Sequence, residues 1–217
     1  MKNLSNYSIK KKKVLFRADL NVPVINGKIT DNSRIVAVKN SIHKLIKQQN
    51  KIFILAHYGR PKGKINKRYS LEFICPILES IFEVKKIHFL KSLDFNSVVN
   101  KISEIKYGEI CLIENIRFHP GEEKIDLNFV KDLSKSFDVY VNDAFSASHR
   151  NHASITGFSK YLPAVAGDYL LKEIRNINLF LKNEKKPNLA IIGGSKVSSK
   201  IKLLNNLIEL FNTIAIG

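Results

Sequence analysis

The segment KKVLFRADLNVP, residues 12–23, joins a buried strand to a polar turn. A short run of apolar and β-branched residues begins at Val14, and we predict a strand over Val14 to Asp19. Asp19 and Asn21 stand directly where that strand ends. The segment therefore predicts a core strand with a polar site at its carboxyl end.

Short apolar runs and longer amphipathic stretches alternate along the whole chain, as in the βαβ units of a parallel sheet. The predicted strands are Val14–Asp19, Ile52–Ala56, Lys86–Leu90, Ile110–Glu114, Val139–Asn142, Leu189–Ile192 and Thr213–Ile216. Predicted helices occupy residues 33–48, 70–82, 95–105, 126–136, 167–182 and 197–211. Two of them have good N-cap residues, Ser70 and Asp126. The pattern predicts the α/β class, a parallel sheet with helices on both faces.

The polar segment NEKKPN, Asn183 to Asn188, separates a long predicted helix from a new strand and is the best candidate for a linker. Only a strand, a helix and a strand follow it, about thirty residues that are too few to close a core of their own. We therefore predict a first domain over residues 1–166, a helix and linker over 167–188, and the opening βαβ unit of a second, similar lobe over 189–217.

Composition narrows the classes of function. A chain of 217 residues that is 44% hydrophobic can bury a full core. Its net charge of +17 comes largely from lysines in solvated positions, and such a field would attract a small anionic substrate. Because the chain has no Trp and no zinc knuckle, we expect no specific nucleic-acid partner. Weak, salt-sensitive association with polyanions stays an alternative.

The cysteines and the first residues bear on location. Cys75 and Cys111 lie in apolar runs without the spacing of a disulfide framework, which indicates a reducing compartment. The opening MKNLSNYSIKKKK lacks the apolar stretch of a signal peptide, and no segment approaches the ~20 apolar residues of a membrane span. We expect a cytoplasmic protein with no membrane partner.

Arginine is used sparingly in this lysine-rich chain. Five of the seven arginines fall in short segments that also carry a carboxylate, an amide or an imidazole: Arg17, Arg34, Arg60, Arg117 and Arg150. A planar guanidinium binds carboxylate or phosphate oxygens through a fixed fork of donors that lysine cannot supply. The five segments therefore predict one anion site. For Arg17 and Arg34 taken singly, a surface ion pair is the alternative.

Four of these segments lie at the ends of predicted strands, and ligands of an open parallel sheet bind beyond the carboxyl ends of its strands. Arg34 can join the same rim from the first turn of its helix. The polar residues expected at the rim are Asp19, Asn21, His57, Arg60, Asn115, Arg117, Asp143, His149, Arg150 and His152. Such a set suits a small polyanion that also carries a hydroxyl, with arginines for phosphate and carboxylate and with Asp19 and Asn21 for the hydroxyl.

Some of the same residues have structural alternatives. Asp143 and Glu114 are interpreted as groups that orient their neighbours. His57 or His149, taken alone, could be a hydrogen-bonded loop histidine. A metal site is not predicted, because His149 and His152 lie three apart in a loop with no third ligand evident.

A second polar constellation is LAIIGGSKVSSKI, residues 189–201. A buried strand ends at Gly193 and Gly194, and a helix is predicted to open near Val197. Free backbone N–H groups and Lys196 would then face any phosphate bound there. The segment does not match the Walker pattern, so by itself it is a weak indication of phosphate binding.

Taken together and in order, six segments resemble phosphoglycerate kinase: RADLNVP, DNSRI, HYGRP, ENIRFHPGEE, VNDAFSASHRNHAS and GGSKVSSKI. The resemblance extends over essentially the whole chain. It implies a bilobal enzyme, with a Rossmann-like first lobe, that transfers a phosphoryl group between ATP and the carboxylate of 3-phosphoglycerate in glycolysis. The products are 1,3-bisphosphoglycerate and ADP.

The resemblance also implies residue roles. It assigns Asp19, Asn21, Arg34, His57, Arg60, Arg117 and Arg150 to the triose substrate, and Arg34 additionally to the moving phosphoryl group. Gly193, Gly194, Lys196 and Lys200 would meet the nucleotide, and both lysines would act in catalysis. The implied cofactor is ATP or ADP with Mg²⁺. The metal ion would be held mainly by the nucleotide and by family segments beyond IAIG. The full-length enzyme is expected to be a monomer.

Three residues depart from the family pattern. Ser199 stands where the family usually has Asp, Ser146 where it usually has Gly, and Tyr58 where it usually has Leu. Because the family's nucleotide lobe continues past the closing IAIG, we do not expect the 217 residues alone to transfer phosphoryl. The alternative is a catalytically inactive module that binds an acidic phosphorylated metabolite.

Overall fold

The computed structural model describes residues 1–182, 186–193 and 201–217. These residues form two compact units, Met1–Leu171 and Lys172–Gly217. The domain bounds expected from the sequence, 1–166, 167–188 and 189–217, stay a prediction. Residues 183–185 of the predicted linker lie outside the described residues.

The first unit is built on a parallel sheet. Its strands are β1 (Lys13–Arg17), β4 (Lys51–Leu55), β5 (Ile87–Leu90), β6 (Ile110–Ile113), β7 (Val139–Asn142) and β8 (Ala164–Ala166), and a small antiparallel hairpin is made of β2 (Val24–Ile25) and β3 (Lys28–Ile29). The six sheet strands are ordered β5-β6-β4-β1-β7-β8, and every neighbouring pair is parallel. The predicted parallel sheet is therefore confirmed, with β1 near its centre.

Alternation along the central strands gives two hydrophobic cores. Val14 and Phe16 of β1 pack into one core, while Leu15 packs into the other. Successive residues of a strand point to opposite faces, so a strand that is apolar at every position must be covered twice. The six helices that begin in this unit are α1 (Ser33–Lys47), α2 (Cys75–Phe82), α3 (Phe95–Glu104), α4 (Gly121–Lys124), α5 (Leu127–Ser134) and α6 (Asp168–Lys182), the last continuing beyond Leu171.

One predicted helix begins later than expected. The pattern predicted helix over 70–82 with Ser70 as its N-cap, but residues Glu72–Ile74 form a 3-10 turn and α2 begins at Cys75. Pro76 explains the difference, because it lacks an N–H and fits only the first turn of a helix. Asp126, in contrast, caps α5 as predicted, since its side chain accepts from the N–H groups of Asn128 and Phe129.

The second unit contains one parallel strand pair. β9 (Leu189–Ile192) pairs with β10 (Thr213–Ile216), and α7 (Ile201–Leu210) lies between them in sequence. Both strands have the predicted bounds, whereas residues 197–200 of the predicted helix are not among those described. Several large apolar side chains of this unit are exposed, including Ile191, Ile208 and Ile216. Within the described part of the chain, no helix combines the length and apolar character needed to cross a membrane.

Candidate functional site

The carboxyl ends of β1, β4, β6 and β7 meet at one rim of the sheet, as the parallel pairing requires. Asp19 at this rim is almost buried, and its Oδ1 accepts from the backbone N–H of Asn21 at 3.0 Å. Its Oδ2 accepts from Arg34 Nη1 and from Ser146 Oγ. Asp19 therefore holds Arg34, which enters from the first turn of α1 as predicted, and the serine that replaces the usual glycine takes part in the contact.

Gly59 is the point at which three rim segments are joined. Its N–H donates to Asn21 Oδ1 at 2.9 Å, and its carbonyl accepts from Arg117 Nη1 at 2.7 Å. Gly59 has φ +61°, and a Cβ there would lie 2.3 Å from a Tyr69 ring carbon, so the position requires glycine. These bonds fix the backbone immediately before Arg60.

The guanidinium groups of Arg60 and Arg150 have no hydrogen bond or ion pair to any residue that the structure describes. Arg60 is exposed, and Arg150 is half-buried and close enough to Arg117 for the two charges to interact. Burial lowers the pKa of the Arg117 guanidinium, and the charge of Arg150 lowers it further. Nε of Arg117 lies 3.3 Å from Glu123 Oε1 but is not aligned for a hydrogen bond. The rim therefore carries an excess of positive charge suited to an anion.

His57 follows β4 at this rim and contacts Arg17. Its side chain is buried, and Nδ1 lies 3.0 Å from Arg17 Nη2. Burial lowers the pKa of His57 far below its ordinary value, and the charges of Arg17, Arg117 and Arg150 lower it further. Burial and the neighbouring positive charges thus both favour the uncharged imidazole.

The sequence left open the alternative that Arg17 forms a surface ion pair, and the structure excludes it. Only 1% of it is exposed, and its Nε donates to Ser154 Oγ at 2.9 Å. Ser154 in turn donates to Glu122 Oε1 at 2.6 Å. Sequence reasoning assigned no role to Glu122 or Ser154, although both stand inside the motif segments quoted above. Both residues are buried, which the sequence does not show, and burial makes Ser154 the bonding partner of Arg17 and of Glu122.

A family model described as phosphoglycerate kinase matches residues 4–217. The chain belongs to the phosphoglycerate kinase family. It is 46% identical over 206 residues to phosphoglycerate kinase of Sinorhizobium fredii, and that match covers 95% of this chain and 51% of the relative. The corresponding enzyme of Moorella thermoacetica is 42% identical over 214 residues, which cover 99% of this chain and 54% of that protein.

Solved structures of the family are similar as well. Phosphoglycerate kinase from Pyrococcus horikoshii matches 100% of this chain and 55% of its own chain, with a TM-score of 0.91 and 30% identity. Phosphoglycerate kinase from Coxiella burnetii matches 99% of this chain and 54% of its own, with a TM-score of 0.84 and 36% identity. The chain spans about half the length of the curated relatives it matches.

Two carboxylates at the rim have structural roles, as the sequence indicated. Glu114 accepts from Ser70 Oγ at 2.7 Å and from the N–H groups of Leu71 and Asn115 at 2.8 and 2.7 Å. Asp143 accepts from the N–H of Leu170 at 2.8 Å, in the first turn of α6. Burial raises the pKa of Asp143 from 3.8 to about 6, although the bonds from Ser41 and Leu170 oppose that rise.

Asp143→Asn is expected to change how stability depends on pH. Because the pKa of Asp143 is raised in the fold, its contribution to stability is complete below 3.8 and is lost as pH rises through about 6. The free energy of unfolding of the Asn variant, relative to the parent, should therefore increase by up to about 3 kcal/mol between about pH 4 and about pH 7. Urea denaturation at a series of pH values measures it, and a constant difference would contradict the raised pKa.

The remaining candidates are the histidines and the nucleotide residues. His149 is exposed, and His152 Nδ1 lies 3.7 Å from Glu122 Oε1. Among the residues for which positions are given, no three His, Cys, Asp or Glu side chains are arranged to hold a metal ion. Gly193 follows β9 directly, and Gly194, Lys196, Ser199 and Lys200 lie outside the described residues.

Proposed function

We propose that the protein is a phosphoglycerate kinase of glycolysis, which transfers a phosphoryl group reversibly between ATP and the carboxylate of 3-phosphoglycerate. In this proposal the first unit binds the triose, and the products are 1,3-bisphosphoglycerate and ADP. The family membership and the ordered motif segments support the reaction. The family's role in glycolysis and two buried free cysteines support a cytoplasmic protein, and we propose that it is a monomer at full length.

The observation that carries this proposal is the pair Arg60 and Arg150. Neither has an ion-pair partner among the residues that the structure covers, whereas Arg34 is held by Asp19 and Arg117 by Gly59. Two guanidiniums without a protein carboxylate suit the phosphate and carboxylate of one small ligand. We assign Asp19, Asn21, Arg34, His57, Arg60, Arg117 and Arg150 to this substrate.

The proposed chemistry relies on position and charge. Phosphoryl transfer needs little covalent participation by the protein, because its transition state is stabilised by cations placed in advance. Arg34 is already fixed by a nearly buried carboxylate, so little reorientation is needed when the phosphoryl group arrives. We propose that Gly193, Gly194, Lys196 and Lys200 serve the nucleotide, that both lysines join Arg34 in catalysis, and that Mg²⁺ accompanies ATP.

Calorimetric titration with 3-phosphoglycerate tests the substrate assignment on the 217-residue chain. We expect saturable binding that exceeds the binding of 2-phosphoglycerate and of sulfate. Arg34→Ala, Arg60→Ala and Arg150→Ala should each weaken binding by about 1.5–3 kcal/mol, the range typical of a hydrogen bond to a charged group.

Lys64→Ala is the matched control, because Lys64 is exposed and lies close to Arg60 in sequence. It removes the same charge as Arg60→Ala and should leave affinity almost unchanged. An equal loss in the two variants would mean that bulk charge attracts the ligand. Equal affinity for 2-phosphoglycerate and 3-phosphoglycerate would contradict the substrate itself.

A further inference from the structure

We propose that Glu122 and Ser154, acting through Arg17, hold His57 in the tautomer whose proton is on Nε2. Both would thus be positioning residues for the anion site, without touching a ligand. The claim that His57 contacts the substrate rests on the proposed function above, whereas the tautomer of its imidazole is argued from the structure alone.

The tautomer follows from the chemistry of the contact. All the nitrogens of an arginine side chain are donors and none can accept. Nη2 of Arg17 lies 3.0 Å from Nδ1 of His57, so Nδ1 must offer its lone pair. A neutral imidazole has one proton, which must then be on Nε2.

Arg17 is itself held by its other nitrogens. Nε donates to Ser154 Oγ at 2.9 Å, and Nη1 donates to the carbonyl of Ala18 and, at 3.4 Å, to that of Leu55. Because the guanidinium is planar, bonds at Nε and Nη1 fix the direction in which Nη2 points. Of these three acceptors, Ser154 Oγ belongs to a side chain and the other two are backbone carbonyls.

Glu122 fixes the serine and supplies the opposite charge. Its Oε1 accepts from Ser154 Oγ at 2.6 Å and its Oε2 accepts from Ser154 N at 2.8 Å. The hydroxyl of Tyr140 donates to the carbonyl of Ser154 at 2.6 Å, which holds the same backbone from the other side. Arg17 is 1% exposed and Glu122 is 0% exposed, so each buried charge depends on the other through one hydroxyl.

The tautomer decides whether the imidazole of His57 attracts or repels an anion at the rim. With its proton on Nε2, the imidazole offers a donor to an anion. With its proton on Nδ1, it would offer a lone pair, which repels phosphate or carboxylate oxygens. The buried chain Glu122, Ser154 and Arg17 therefore lets an uncharged His57 contribute to binding an anion. Glu122 and Ser154 are both fully buried, so neither can touch a ligand, and Ser154 reaches His57 through its bond to Arg17.

Nitrogen-15 NMR of the His57 ring in the ligand-free chain tests the proposal directly. In the wild type at pH 7 we expect a proton on Nε2 and an unprotonated, hydrogen-bonded Nδ1. In Ser154→Ala, and separately in Arg17→Lys, which keeps the charge but loses the fork, we expect signals of the Nδ1-protonated ring. Affinity for 3-phosphoglycerate should fall about fivefold to tenfold in Ser154→Ala.

Ser134→Ala is the matched control, because Ser134 is a buried serine whose hydroxyl donates to the carbonyl of Val130 at 2.7 Å and does not take part in the bonds of Arg17. It should leave the His57 spectrum and the affinity unchanged. An unchanged His57 ring in Ser154→Ala, or a wild-type ring protonated on Nδ1, would overturn the proposal. If Ser154→Ala does not fold, Arg17→Lys and the wild-type spectrum decide by the same criteria. A wild type that fails to bind 3-phosphoglycerate but shows the expected ring signals would defeat the proposed function and support the positioning network.

Discussion

Arg17→Met is expected to lower the free energy of unfolding of the first unit by about 3–5 kcal/mol, the cost typical of leaving a buried charge without its compensating partner. Methionine fills much of the space of the arginine stem, so the loss comes chiefly from charge. Glu122 would stay buried without its cation, and Ser154 Oγ would lose the donor it has in Arg17 Nε. Urea denaturation followed by circular dichroism at pH 7 measures the change.

A double-mutant cycle separates this charge effect from packing. Glu122→Gln neutralises the carboxylate with little change of shape, so Arg17→Met should cost less when Glu122→Gln is already present than in the parent. We expect the two changes to be non-additive by about 1–3 kcal/mol. Additive losses would mean that Arg17 and Glu122 do not depend on each other, and the account of their burial would then be wrong.

Gly167→Ala is the second large effect that we expect. A Cβ at Gly167 would lie 2.1 Å from Cγ of Asp143 and 2.3 Å from its Oδ1. Asp143 cannot simply move away, because it is fully buried and its Oδ1 accepts the N–H of Leu170 at the start of α6. The added methyl should therefore cost about 3 kcal/mol, the upper part of the usual range for overpacking, or prevent folding.

Gly193→Ala is the control for Gly167→Ala. The same methyl is added, but a Cβ at Gly193 would meet no atom of the residues that the structure describes within 4 Å. Thermal unfolding of the two variants should show a large loss for Gly167→Ala alone. A loss of similar size in both would point to a general cost of replacing glycine, whereas no loss in Gly167→Ala would show that Asp143 and α6 can shift without penalty.

Much of the fold could be predicted from local patterns. The run that begins at Val14 and the one that begins at Ile52 are apolar at successive positions, and only a strand covered on both faces buries them fully. Asp126 caps its helix because the cap is a bond to residues two and three positions along the chain. Ser70 does not cap α2, because Pro76 starts that helix at Cys75; its hydroxyl instead accepts the N–H of Glu72 at 3.2 Å and donates to Glu114, far away in sequence.

Part of the candidate site could likewise be predicted from the sequence, and part could not. The sequence could predict which residues lie at the rim, because the carboxyl ends of parallel strands meet at one edge and so collect Asp19, His57, Arg60 and Arg117; that they bind the substrate stays a proposal. The sequence could not tell that Arg60 and Arg150 are without ion-pair partners among the described residues while Arg34 and Arg117 are held, since that depends on the distances between separate loops.

The sequence by itself determined the alternation of strands and helices and the kinds of group at the rim, because both are properties of neighbouring residues. Only the tertiary structure decided the roles of Arg17, Ser154 and Glu122. Arg17 and Ser154 are 137 positions apart, and Ser154 and Glu122 are 32 apart. Burial removes water as the alternative partner for these groups, so their bonds to each other fix the imidazole of His57. The exclusion of water depends on how distant segments pack together, so it cannot be read from the spacing of residues along the chain.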